Sequence, residues 1–199
     1  MPIPRVEYET AEQQTLDEIR DWYRGMLEAL LEQRRSLLRA IRDGCGVASR
    51  FATMTENELD RYFDSQKREL ERLTMLNLVA CTEARITDDY FHRVRKKLKD
   101  KLSSAYRKWH RNLSAKKQLR PDFDEAGILA VLKSPNLVNN NIVGQFRECL
   151  QGRHWVGHGR RWDKPIAIER FDPDDVYDRC NALLRAIPAL MPPGAETST

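Results

Sequence analysis

The chain of 199 residues lacks several features that define other classes of protein. It has only nine glycines and nine prolines, which disfavours a turn-rich β architecture. No apolar run approaches the roughly 20 residues needed to cross a bilayer. The N-terminus has no basic region followed by an apolar stretch, as a secretory signal would. These absences predict a cytoplasmic protein that does not associate with a membrane.

Cysteines are few and stand far apart. None of the four belongs to a CxxC pair; they are Cys45, Cys81, Cys149 and Cys180. A disulfide framework or a zinc cluster would bring cysteines together at short, regular spacings. The sequence therefore predicts reduced thiols, consistent with a reducing compartment.

Acidic residues are almost absent from residues 93–120. This segment has twelve Lys or Arg and one acid, Asp100, so its net charge is +11 and that of the rest is −7. A surface with charge of almost a single sign attracts polyanions by releasing their counterions. A run of charged residues is, however, more often only a solvated helix face. We predict that the segment faces a polyanion, with RNA contacts at Arg93, Arg95, Lys96, Lys97, Lys99 and Lys101.

Alternation of apolar and polar residues is also missing, and apolar residues recur instead at the three-and-four spacing of helices. The first predicted helix is Ala11–Asp43 with Thr10 as N-cap, and the second runs from a capping box at Thr55 and Glu58 toward Arg85. A third runs from Thr87 through Trp109, and a short fourth spans Asp122–Leu132. The fifth runs from about Asn140 into residues 153–158, and the last from Asp172 and Pro173 to about Ala189. Residues 112–120 are predicted to be a loop.

This pattern predicts an all-α fold, an up-and-down bundle of about five to six helices. Residues 1–54 form a first unit, a long helix with a connector that serves as a bundle helix or a dimer arm. Residues 55–190 form the main helical domain, and residues 191–199 are expected to be a disordered tail.

The densest group of chemically active side chains is residues 153–162, which read RHWVGHGRRW. His158 can carry a proton near neutral pH, and Arg153 can hold a phosphate with its fork of donors. Five residues of straight helix leave the two side chains about 140° apart, so joint action requires the helix to end, tighten or bulge between them. Gly157 and Gly159 permit this. Alternatively, the glycines only terminate the helix and His158 is a capping or surface residue.

The aromatic and basic neighbours of this motif allow further readings. His154 and His158 share a helical face, but a zinc site would need a third ligand that the pattern does not supply, so no metal is predicted. His154 is expected to pack or to form a hydrogen bond, and Trp155 to lie in the core. Trp162 suits either the core or a stacked base. RNA contacts are expected from Arg160, Arg161, Trp162 and Lys164.

These residues resemble the signature of the HEPN superfamily, an arginine followed four to six residues later by a histidine. The stretch from Leu150 to Trp162 is especially similar to the RiboL-PSP-HEPN-like branch, and residues 76–91 resemble the helix of that branch that carries an EA…D pattern. The resemblance covers roughly residues 70–165. It implies a helical homodimer with two motifs in one cleft. Many relatives are metal-independent endoribonucleases of toxin–antitoxin or phage-defence systems. The resemblance therefore implies the same activity for this chain, with an antitoxin or defence partner protein.

Carried over by position, the resemblance implies a role for each motif residue. Arg153 would bind the scissile phosphate, His158 would act as general base or acid, and Glu83, or else Asp89, would support them. Some relatives have a modified tyrosine two residues after the histidine, where this chain has Arg160. The chemistry needs no cofactor, because histidine can take the 2′-OH proton and arginine can hold the phosphorane charge.

The expected products carry a 2′,3′-cyclic phosphate. An alternative is a catalytically silent HEPN module that binds RNA, a nucleotide or a partner protein. A DNA-binding helical regulator is disfavoured, because no helix-turn-helix segment is visible.

Overall fold

A computed structural model describes residues 14–46, 49–124, 126–134, 137–160, 163 and 172–190. Within these ranges it has no β-strand and seven α-helices, namely α1 (Leu16–Arg42), α2 (Glu56–Lys96), α3 (Lys101–Arg111), α4 (Ala115–Leu119), α5 (Ile128–Leu132), α6 (Asn140–Gly157) and α7 (Pro173–Ala186), with a short 3-10 turn at Ser49–Phe51. The all-α prediction is confirmed. The helix number exceeds the expected five to six because α4 and α5 are five-residue helices.

The four long helices α1, α2, α6 and α7 run alternately up and down. Ion pairs join Arg34 to Asp60 and Arg42 to Glu56, so α1 and α2 are antiparallel. The ion pairs Glu83–Arg153 and Glu69–Arg160 likewise make α6 antiparallel to α2. Helices α1 and α6 each pack on both α2 and α7. None of the helices in the described ranges combines the length and apolar character that a bilayer crossing requires.

The main hydrophobic core lies where α2, α6 and α7 meet. Fully buried side chains come from each of these helices, for example Leu78, Phe146 and Leu183. The N-terminal end of α1 closes the same core with Leu16 and Ile19. The beginning of α1 is therefore a helix of the bundle.

The distal half of α1 and the beginning of α2 form a two-helix hairpin with a separate small core. Phe51, Leu59 and Phe63 are buried there, and leucines of α1 that are themselves only partly buried pack against them. Two helices have less apolar surface to bury together than four, so this end has a smaller core than the bundle.

Local capping signals set the beginnings of the long helices. Thr55 and Glu58 form the predicted capping box at the start of α2, and Asp172 with Pro173 starts α7 as expected. For α1 the prediction was wrong. The cap is Thr15, which exchanges hydrogen bonds with Glu18, whereas Thr10 lies outside the described residues.

The predicted break near Arg85 and Thr87 was wrong, because α2 continues without interruption to Lys96. Thr87 and Asp88 are good N-cap residues. However, Ile86 and Tyr90 are both fully buried and continue the stripe that packs on the bundle. The chain turns only at Lys97, whose φ of 53° is left-handed, and Asp100 then caps α3.

Arg93 is buried rather than on the RNA-facing surface where it was predicted. It is 2% exposed, and its Nε lies 2.6 Å from Oδ2 of Asp89. The guanidinium also donates hydrogen bonds to Asp100, Ser103 and the backbone carbonyls of Pro188 and Ala189. Asp89, the alternative to Glu83 as the residue that would support the motif, is a buried ion-pair partner of Arg93.

The predicted boundaries between α3 and α6 and at the end of α7 need correction. Residues 112–120, predicted to be a loop, contain α4. The predicted helix Asp122–Leu132 is reduced to α5, because the carbonyls of Asp122 and Phe123 accept hydrogen bonds from Ile128 and Leu129 instead of starting a helix. Helix α7 ends at Ala186, before the expected Ala189. Residues 191–199, predicted to be a disordered tail, lie outside the described part of the chain.

Candidate functional site

The motif occupies the last turn of α6 and the residues that end this helix. Asn139 caps its beginning as a side-chain acceptor. Its end has the geometry of a Schellman motif. Gly159 has a φ of 75° and donates to the carbonyl of Val156, while Arg160 donates to that of Trp155. Gly159 therefore terminates the helix, which is the alternative that the sequence offered for this glycine.

His158 is the C-cap residue of α6 and is exposed. Its N–H still donates to the carbonyl of His154 at 3.0 Å, so the backbone keeps a helical turn up to the histidine. Within one chain, the side chains of Arg153 and His158 therefore remain about 140° apart around the helix axis, as expected for a straight helix. The bulge that would turn both side chains to one side does not form.

Arg153 of α6 and Glu83 of α2 lie in contact with each other. Nε of Arg153 lies 3.3 Å from Oε2 of Glu83, with the arginine side chain 36% and the glutamate 16% exposed. Burial raises the pKa of the Glu83 carboxyl, and the positive charge of Arg153 opposes this effect. The pair joins α6 to the middle of α2 at the edge of the core.

Glu83 is the ion-pair partner of Arg153 among the described residues, and Nε is the guanidinium nitrogen that lies closest to it. Glu83 contacts Nε, and no other described residue forms an ion pair or hydrogen bond with the terminal amino groups. The five donors of a guanidinium lie in a plane, so a second acceptor can bind at the terminal edge. The arrangement can hold an anion without breaking the contact with Glu83.

His154 lies one turn before His158, with 6.2 Å between the ring centroids. Burial lowers the pKa of His154, and the nearby charges of Arg153 and His158 lower it further. Among the residues that the structure describes, no three His, Cys, Asp or Glu side chains are grouped as metal ligands.

Trp155 is buried, which confirms its expected place in the core. The guanidinium carbons of Arg72 and Arg160 each lie 5.8 Å from its ring centroid. Glu69 forms ion pairs with both arginines. Arg160 was expected to contact RNA, but its guanidinium is held by Glu69 against the tryptophan. Arg161, Trp162 and Lys164, the other predicted contacts, lie outside the described residues.

Sequence reasoning did not identify Glu69 as part of this site. It precedes Glu83 by fourteen residues, or almost four helical turns, so both acids lie on nearly the same face of α2. That spacing is visible in the sequence. Its meaning depends on knowing that α6 packs along this face.

The remaining predicted RNA contacts lie at the turn between α2 and α3. All are exposed and none forms an ion pair within the described residues; they are Arg95, Lys96, Lys97, Lys99 and Lys101, here called the basic turn. Arg95 is twelve residues from Glu83, or about 18 Å along α2. Because α6 runs antiparallel to α2, His158 lies further from the basic turn than Arg153 does, and the structure does not bring the motif and the basic turn together.

No protein-family model, curated protein or solved structure matches the chain.

Proposed function

We propose that the protein is a metal-independent endoribonuclease of HEPN type, acting in a toxin–antitoxin or phage-defence setting. The observation that carries this proposal is the Arg153–Glu83 pair beside an exposed histidine. Glu83 holds one edge of the guanidinium while the other edge is available to a phosphate. An imidazole follows on the same segment of chain.

In this reaction Arg153 binds the scissile phosphate of RNA. Glu83 fixes the arginine through Nε, and the terminal amino groups donate to the nonbridging oxygens. These charge-assisted bonds strengthen as negative charge grows on the phosphorane, which lowers the barrier. Glu83 is a positioning residue, because it acts through Arg153.

His158 acts as the general base and acid. It takes the proton of the 2′-OH, whose oxygen forms a bond to phosphorus while the bond from phosphorus to the 5′-oxygen breaks. A protonated histidine supplies the proton that the leaving oxygen needs. The products are a 2′,3′-cyclic phosphate end and a 5′-OH end.

A homodimer fits the angular offset between the two side chains. Within one chain they project from different sides of α6. A second copy of the motif, related by a twofold axis, would place the histidine of one protomer opposite the arginine of its partner. We therefore propose that the active cleft lies between two protomers.

The basic turn would bind RNA away from the cleaved bond. Its distance of about 18 Å from Glu83 corresponds to roughly five nucleotides of stacked strand at about 3.4 Å each. Lysines at that distance add affinity through counterion release without touching the reacting phosphate.

Binding without cleavage is the second candidate function. It is favoured by the pairing of Arg153 and Arg160 with Glu83 and Glu69, because each carboxylate reduces the positive charge offered to a phosphate. Such a module would bind RNA, a nucleotide or a partner protein through the same surface.

Incubation of the purified full chain with total RNA in EDTA separates the two candidates. Wild-type protein is expected to generate 2′,3′-cyclic phosphate ends, and His158→Ala and Arg153→Ala are expected to abolish them, as each removes one of the two reacting groups. His92→Ala is the control, because His92 is a half-buried histidine of α2 outside the motif. This variant is expected to keep the activity.

Circular dichroism and size-exclusion chromatography establish that each variant is folded and in the wild-type oligomeric state. Undiminished cleavage by His158→Ala would falsify the nuclease proposal. RNA binding without new ends in any variant, including wild type, would support the silent module.

A further inference from the structure

A cavity of about 310 Å³ opens between the beginning of α1, the middle of α2 and the C-terminal half of α7. Leu16, Leu184 and Leu190 provide its apolar lining. The first two belong to the main core, so this wall is held in place by the packing of the bundle. The volume lies at the small end of the range for ligand sites.

Two arginines from different helices line the same cavity. Arg85 comes from α2 and Arg185 from α7. Arg185 is exposed and forms no ion pair or hydrogen bond with any other described side chain. An anion bound in this small cavity would be attracted by both guanidinium groups.

The single acid of the lining does not cancel this preference. Oδ1 of Asp17 accepts a hydrogen bond from the Tyr177 hydroxyl at 2.6 Å and pairs with Arg20 at 2.9 Å. The Arg20 guanidinium in turn lies over the Tyr177 ring, 3.9 Å from its centroid. The charge of Asp17 is therefore already matched by a third arginine, and within the described residues it does not compensate the charge of Arg185.

Asn181 adds a neutral polar group to the cavity wall. Its side-chain amide has no hydrogen-bond partner in the part of the chain that the structure describes. It lies one turn from Arg185 on α7, so both side chains are on the same face of that helix. An amide and a guanidinium at this spacing can bind neighbouring oxygens of one ligand.

From these contacts we infer that the cavity binds a phosphate monoester of about the size of a sugar phosphate or mononucleotide. Arg85 and Arg185 would hold the phosphate, whose three terminal oxygens can accept more donors than the two of a carboxylate. Asn181 would bind a hydroxyl or phosphate oxygen, and the leucines would cover the organic part of the ligand.

The cavity is separate from the 153–158 motif. Arg85 and Glu83 are two residues apart on α2 and project about 200° apart around the helix axis. One faces the cavity with α7, and the other faces α6. The inference therefore does not depend on the nuclease proposal and can fail or succeed independently of it.

Calorimetric titration of the full chain tests the inference. AMP and ribose 5-phosphate are expected to bind saturably and adenosine not to bind, since the phosphate carries the recognition. Tighter binding of AMP than of ribose 5-phosphate would show that the base is also held, and equal binding would show that the sugar phosphate suffices. Either result supports the site.

Arg185→Ala is expected to weaken AMP binding at least tenfold, because it removes charge-assisted hydrogen bonds to the phosphate. Arg39→Ala is the matched control, as Arg39 is an exposed arginine of α1 about 33 Å along the helix from Asp17. It should leave AMP binding unchanged, and both variants should retain the circular dichroism spectrum and any RNA cleavage of the wild type.

Three results would overturn the inference. These are the absence of saturable binding by either monoester, binding of adenosine as tight as that of AMP, and equal AMP affinity in wild type and Arg185→Ala. Loss of RNA cleavage in His158→Ala with AMP binding intact would leave the inference standing, which separates the two proposals.

Discussion

Arg93 shows how one buried charge can join distant parts of this fold. Its guanidinium bridges α2, the N-cap of α3 and the chain segment that follows α7. Asp89 beside it is 1% exposed, so its buried negative charge needs the compensation that Arg93 supplies. The apolar part of an arginine side chain also fills core volume, which the net charge of the sequence does not reveal.

Replacement of Arg93 by methionine is expected to lower the free energy of unfolding by about 3–5 kcal/mol, because it leaves the buried carboxylate of Asp89 without its partner. Arg95→Met, two residues along the same helix at an exposed position, should change the value by no more than about 0.5 kcal/mol. Urea denaturation of both variants measures the difference. Similar losses in the two variants would contradict the bridging role.

At the scale of one element, the end of α6 determines where His158 lies. Gly159 adopts a left-handed φ of 75°, and its N–H and that of Arg160 satisfy two carbonyls of the last turn. Gly157, inside the helix, has open space where a Cβ would be. The two glycines that flank the histidine therefore have different physical roles.

The substitutions Gly159→Ala and Gly157→Ala should change stability in opposite directions. The first forces a Cβ into the left-handed region and is expected to cost about 1–2 kcal/mol. The second improves helix propensity and is expected to gain up to about 1 kcal/mol. Thermal unfolding of the two variants provides the comparison. A gain in stability for Gly159→Ala would show that the left-handed conformation at this position is not required.

At the scale of the whole molecule, the basic turn and the candidate site lie at different places along α2. The motif packs against residues 69–83 in the middle of the helix, whereas the basic turn lies beyond residue 94, at its C-terminal end. Because screening in physiological salt acts over about 8 Å, the basic turn cannot assist the reaction at Arg153 directly. Its contribution should appear in RNA affinity.

Replacement of three lysines of the basic turn by glutamine is expected to reduce the salt dependence of RNA binding. Each lost phosphate contact lowers the slope of log K against log salt by about 0.7 for single strands, so the triple variant should lose about 2. The replaced residues are Lys96, Lys97 and Lys99. Filter binding at several salt concentrations measures the slope.

The control replaces three exposed arginines of the α1–α2 hairpin by glutamine, namely Arg39, Arg61 and Arg68. It should leave the slope unchanged, although it removes the same net charge. Equal slopes in the wild type and the lysine variant would contradict an RNA-binding role for the basic turn.

Several features were predictable from the sequence, because their causes lie within a few residues of chain. The capping box at Thr55, the Asp172 and Pro173 start of α7 and the glycine stop after His158 each satisfy backbone groups of the nearest turn. The helical period also predicted an all-α fold and a buried Trp155. The meeting of Glu83 with Arg153 was expected only through the family resemblance.

Other features were decided by the tertiary structure alone. Arg93 is removed from the surface by carbonyls that lie 95 and 96 residues further along the chain, and Arg160 is held by a glutamate 91 residues away. The continuity of α2 through Thr87 likewise depends on burial of Ile86 and Tyr90 against other helices. Local sequence sets hydrogen bonds within a turn, but burial and charge pairing depend on which surfaces meet, and this is determined only when the helices pack.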